Sequence, residues 1–141
     1  MTGAILAPMP ALVADAVALV RWHRNLGWVL IATNAVAGAW ALSSHWLPVL
    51  RAGALRRVLI GTIVVAQAMT FVQAIVGAVL MSRYDLQPHS LHALYGFSAI
   101  IAVGILYSYR TSTWMRGKEW MLYGLGCLFI MGLGLRELVL S

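Results

Sequence analysis

The sequence predicts an all-α integral membrane protein, a four-helix bundle of up-down-up-down topology with a short N-terminal interfacial helix. Three observations predict it. Of the 141 residues, 62% are hydrophobic and 10% are charged, with a mean hydropathy of +0.85, whereas soluble domains run to about 45–50% apolar and 25% charged. Four apolar runs, near 25–44, 58–81, 91–109 and 120–140, each approach the roughly 20 residues that cross a hydrocarbon core. Period-two alternation is absent, which argues against a barrel, and a helix satisfies its own amides where lipid offers no water.

Residues 1–24 form the N-terminal interfacial segment. They are apolar but interrupted by Pro8, Pro10 and Asp15, with no basic residue before Arg21, a poor match to a cleaved signal peptide. Ala11 to Val20 reads as an interfacial helix or as an N-terminal extension of the first span. Residues 25–141 hold the bundle. Its links, 45–57 with Pro48, 82–90 with Pro88, and 110–119, are short enough to make sequential helices antiparallel neighbours. Trp22, Trp40, Trp46, Trp114 and Trp120 fall near the span ends, the headgroup level that indoles prefer.

The formal net charge is +6, but the cations lie between apolar runs rather than in a basic, aromatic-interleaved patch. They anchor and orient the chain, and no nucleic-acid partner is implied. The links after spans one and three carry six cations (Arg51, Arg56, Arg57, Arg110, Arg116, Lys118), and the opposite side carries four (Arg21, Arg24, Arg83, Arg136). That bias puts both termini on the outer side of a plasma (inner) membrane.

One phrase occurs twice. His23 is followed by Gly27, and His92 by Gly96, each at the start of a span expected on the same face. A glycine four residues on lies on the same helix face, beneath the imidazole, where a flat macrocycle can approach the backbone. Paired imidazoles from facing helices make a six-coordinate b-type haem site. Arg24 and Arg136 lie at that level as cationic partners for haem propionates, with Gln73 in the outer half of span two and Glu137 beside Arg136. The plainer readings are an interfacial histidine beside Trp22, glycines that serve helix packing, and an Arg136–Glu137 ion pair. His89 and His92 also sit one turn apart, a spacing that suits zinc, but further ligands are missing nearby. The lone Cys127 permits no internal disulfide, and no nucleophilic triad, phosphate loop or carboxylate pair is present.

The order of these residues, His23-Arg24 opening one helix, Gln73 to Gly77 closing the next, and Leu91-His92 opening a third, resembles one four-helix half of haem A synthase. The likeness covers roughly residues 20 to 110. It implies a four-helix bundle with a b-type haem between His23 and His92. Val20 stands where that family has an acidic residue, and the family's cysteine pair and second half are missing. The resemblance therefore implies haem binding without haem oxidation, as in a small cytochrome b561-like carrier.

The leading expectation is a b-type haem-binding membrane protein that transfers electrons or handles haem, with membrane lipid around it and a quinol or larger redox complex as partner. It is more carrier than enzyme. The competing expectation is a cofactor-free accessory subunit of a larger membrane complex, which small-residue helix faces also fit. A third is a quinone or lipid site along Gln67, Thr70 and Gln73.

Overall fold

A computed structural model describes residues 8–140 as four α-helices: α1 (Pro8–Trp46), α2 (Ala54–Tyr84), α3 (Ser90–Tyr109) and α4 (Glu119–Leu140). Short 3-10 turns lie in the first and third links, at Pro48–Arg51 and Thr113–Met115. All four helices are long and apolar enough to cross a membrane, and the chain is a multi-pass membrane protein. Residues 1–7 of the N-terminal segment lie outside the described residues.

The helix ends follow from local chemistry. Asp85 adopts a left-handed conformation (φ 50°) and turns its N–H back onto the Leu80 carbonyl, ending α2 three residues before Pro88. The His89 imidazole accepts from the Leu91 N–H at 3.4 Å and caps α3, taking the role that Ser, Asp or Asn play at most helix starts. Gly117, at φ 80°, turns the chain into α4, and its N–H donates to the Glu119 carboxylate at 3.0 Å.

The N-terminal segment differs from a separate interfacial helix. From Pro8 onward it is continuous with the first span, the second of the two readings open for Ala11 to Val20. The two prolines fall in the first turn, where a missing N–H costs nothing, so no break separates them from the span. At about 1.5 Å per residue the 39 residues of α1 reach roughly 58 Å, about twice a hydrocarbon core.

α1 is the central helix, packed along both α4 and α2, while α3 lies on α4 and touches α2 only slightly. The expectation that every sequential pair would be close neighbours therefore fails for α2 and α3. Their facing positions carry small residues, Ala74, Gly77 and Ala78 against Ala93 and Gly96, and these line a cavity instead of filling it.

Two apolar clusters make the core. Leu30, Ile31, Ala99, Ala102, Val103, Leu106 and Ile130 join α1, α3 and α4. Ala37, Ala41, Leu59, Ile63, Ala66, Trp120 and Cys127 join α1, α2 and α4. Small residues set the α1–α4 distance, since a Cβ on Gly124 would fall 2.7 Å from the Leu42 nitrogen and one on Gly38 would fall 3.0 Å from the Leu128 nitrogen. In lipid such close backbone approach is a main source of helix association.

The tryptophans divide. Trp22, Trp46 and Trp114 are exposed, as interfacial indoles should be. Trp120 is buried in the second cluster beneath Arg51, whose guanidinium lies 5.8 Å from its ring, and Trp40 donates to the Leu50 carbonyl at 2.9 Å. Those two seal the end of the bundle that holds the first link.

Polar ties cross the interior. The Asn34 amide donates to the Ala66 carbonyl at 3.3 Å, and the Gln67 amide to Cys127 Sγ at 3.2 Å. They pin α1 to α2 and α2 to α4 at a fixed register, which featureless apolar faces would leave loose.

Candidate functional site

At the opposite end from Trp120, three helices bring chemistry-bearing side chains together. His23 comes from α1, His92 from the first turn of α3, and Glu137 from the last turn of α4. The two imidazole centroids are 5.8 Å apart with their planes tilted by 58°. Nε2 of His92 lies 3.0 Å from Oε1 of Glu137. One ligating atom from each of the three side chains falls within 4.8 Å of the others.

α2 supplies the support. The Gln73 amide nitrogen donates to the His23 carbonyl at 2.9 Å and stands 3.5 Å from His23 Nε2. One turn further on, a Cβ on Gly77 would be 3.2 Å from His23 Cε1, so the His23 ring rests on bare backbone. His23 Nδ1 is buried and has no hydrogen-bond partner among the described residues, an expensive state for a polar atom.

Below the two rings runs a cavity of about 230 Å³, lined on its helix faces by Ala74, Gly77, Ala93, Gly96 and Gly134 and floored by Ile130. It lies where α2 and α3 separate, and its polar lining is confined to His23, His92, Glu137, Gln73 and Thr70. An apolar cleft with a few convergent polar groups at one end is the usual form of a small-molecule or cofactor site.

The residues singled out from the sequence fall into two groups. His23, His92, Gln73 and Gly96 line this cavity. Gly27 is buried alongside, but it faces the Gln73 amide and Leu138, and the glycine under the His23 ring is Gly77 of the neighbouring helix. The reason is geometric: in α1 the position four residues on from His23 turns toward the α2–α4 contact. Arg24 and Arg136 are exposed and stand outside the cavity lining. Glu137 pairs with His92 and not with Arg136.

Glu137 is the group whose part the sequence did not disclose. Its signal was a carboxylate inside an apolar span, which is a functional candidate by default. His89 is spent on the α3 cap, so the spacing of His89 and His92 does not build a metal site. His45 lies against Trp46 at the far end of α1, with ring centroids 5.1 Å apart.

Comparison of the chain with family models, with curated proteins and with solved structures gave no match.

Proposed function

We propose that the protein is a b-type haem-binding membrane protein, with His23 and His92 as the axial ligands and the α2–α3 cavity as the seat of the macrocycle. The observation that carries this reading is the meeting of two imidazoles from different helices, 5.8 Å between centroids, over an apolar cavity. Imidazole nitrogens bind a metal at about 2.0–2.1 Å, so two rings on opposite sides of one ion have centroids roughly 6 Å apart. The pair already has that spacing.

Two further observations support the fit. Gly77 leaves bare backbone against the His23 ring, and Gly96 leaves it in the cavity lining facing the Glu137 carboxylate, where a side chain would obstruct a flat ligand. The cavity itself is small, at about 230 Å³, but it continues into the α2–α3 seam, where the two helices touch only slightly. A tetrapyrrole would enter from the lipid side through that seam, which is separate from the α1–α4 and α1–α2 packing.

Held by His23 and His92, a b-type haem would supply one-electron transfer. Within that chemistry the chain's own residues orient and insulate: Gln73 holds the His23 backbone, Gly77 fixes the ring's depth, and Ile130 keeps the floor dry. The resemblance to one half of haem A synthase points the same way. We place the site at the outer face of a plasma membrane, with a quinol or larger redox complex as electron partner, because both rings lie at the bundle end opposite the link holding Arg51, Arg56 and Arg57.

The test is a reduced-minus-oxidised spectrum of protein purified from haem-replete cells. A b-type signal lost in both His23→Ala and His92→Ala is expected, and a colourless preparation contradicts the proposal. One observation favours the second reading, a cofactor-free accessory subunit. Met9, Leu12, Val13, Val17 and Val20 are all exposed on α1, before the level of His23 and the start of α3. A colourless protein that co-purifies with a larger complex, and loses it when Val13 and Val17 become Ser, would establish that reading.

A further inference from the structure

The haem reading gives no task to Glu137, although its carboxylate is the closest partner of His92. We propose that His23, His92 and Glu137 together form a binding site for a divalent transition-metal ion of the zinc class, filled when no tetrapyrrole is present. The geometry points to it through the donor set and its spacing. Two imidazole nitrogens and one carboxylate oxygen lie within 4.8 Å of one another, each from a different helix. Zinc takes such ligands at about 2.0–2.2 Å, so two of them at a tetrahedral angle stand roughly 3.4 Å apart. The His92 Nε2 to Glu137 Oε1 distance is 3.0 Å, and a cation between them needs only a small separation.

The donor types select the ion. Imidazole suits Zn²⁺, Co²⁺, Ni²⁺ and Cu²⁺, while Mg²⁺ and Ca²⁺ need oxygen shells, and a soft monovalent ion needs sulfur. Cys127 belongs to the other core cluster and bonds Gln67 there. His92 and Glu137 retain 22% and 16% of their side-chain exposure, and the adjoining cavity gives a solvent ligand room to complete the coordination. The buried Nδ1 of half-buried His23, without a hydrogen-bond partner among the described residues, is a second sign that this ring is not satisfied by the protein alone.

The cation and the tetrapyrrole draw on the same histidines and exclude each other, but only the cation uses Glu137. This separates the two proposals experimentally. Chelator-stripped, haem-free protein in detergent is titrated with Co²⁺, whose visible d–d bands report coordination, and then back-titrated with Zn²⁺. One equivalent is expected to bind, with affinity reduced at least tenfold in Glu137→Gln and in His92→Ala. Glu137→His, which restores a donor, recovers binding with displaced bands. Circular dichroism and a thermal melt on each variant show that the fold is intact. Equal Co²⁺ affinity in wild type and Glu137→Gln overturns the proposal, as does the absence of visible bands in wild type. Haem uptake by the wild type and by Glu137→Gln is read in parallel. Cobalt binding without haem uptake sinks only the haem reading, and haem uptake without cobalt binding sinks only this one.

Discussion

Gly77 and His23 are in contact across two helices: a Cβ at position 77 would sit 3.2 Å from Cε1 of the His23 ring. That separation is tighter than ordinary van der Waals contact, so even alanine pushes the imidazole away from its place. Gly77→Ala should lower haem affinity by about tenfold, equivalent to roughly 1.4 kcal/mol, and Gly77→Leu should abolish binding. Haem titration followed by Soret absorbance measures both. An unchanged affinity in Gly77→Leu would show that the ring does not need this seat.

Gln73 links α2 to the backbone beside the first ligand, through a 2.9 Å bond to the His23 carbonyl. Its side-chain oxygen is buried without a partner among the described residues, so replacing the amide removes one favourable and one unfavourable term. Each is about 1 kcal/mol. Gln73→Leu is therefore expected to melt near the wild-type temperature while releasing haem several-fold faster to an apomyoglobin acceptor. Equal release rates would mean the amide does not hold His23 in place.

The glycines differ in what surrounds them. A Cβ on Gly124 would overlap the Leu42 backbone, whereas nothing lies within 4 Å of a Cβ on Gly61 or Gly104. Overpacking costs about 1–3 kcal/mol, and backbone cannot move aside as a flexible side chain can. Gly124→Ala should lower the thermal midpoint in detergent, and Gly61→Ala and Gly104→Ala should hold or raise it, alanine being the better helix former by about 1 kcal/mol. A Gly124→Ala protein as stable as wild type would contradict the close α1–α4 approach.

Arg24 and Arg136 were the cations expected at the propionates, yet both are exposed and outside the cavity lining. Exposed ion pairs contribute about 0–1 kcal/mol. Arg24→Ala and Arg136→Ala should each change haem affinity by less than about fivefold, with the difference shrinking further at high salt. A loss as large as that of His92→Ala would assign them a buried partner.

Much of the fold was legible because lipid imposes few solutions. Length and hydropathy located all four helices, with α3 and α4 matching their expected spans to within a residue at each end. What sequence did not give was which faces meet. The drift of a helix face over four residues decides that Gly27 looks at Gln73 while Gly77 supports the ring, and no local pattern contains that. The indoles show the same limit: Trp120 and Trp114 both sit at a span end, but only Trp120 is drawn into the core, by Arg51 above it and the Ala37–Ala41 face below. The histidine pair was readable because His23 stands where the first long apolar run begins and His92 where the third begins, although α1 itself starts at Pro8 and only His92 lies in a first turn. Glu137 was readable as a carboxylate in an apolar span, but its pairing with His92 depends on α4 ending level with the start of α3.

Electron paramagnetic resonance of the ferric, haem-loaded protein tests the central claim most directly. Two imidazoles on one iron predict a low-spin signal in the wild type that converts to high spin, or disappears with the haem, in His23→Ala and His92→Ala alike. A high-spin wild type, or a low-spin signal that survives in either variant, would contradict ligation by this pair.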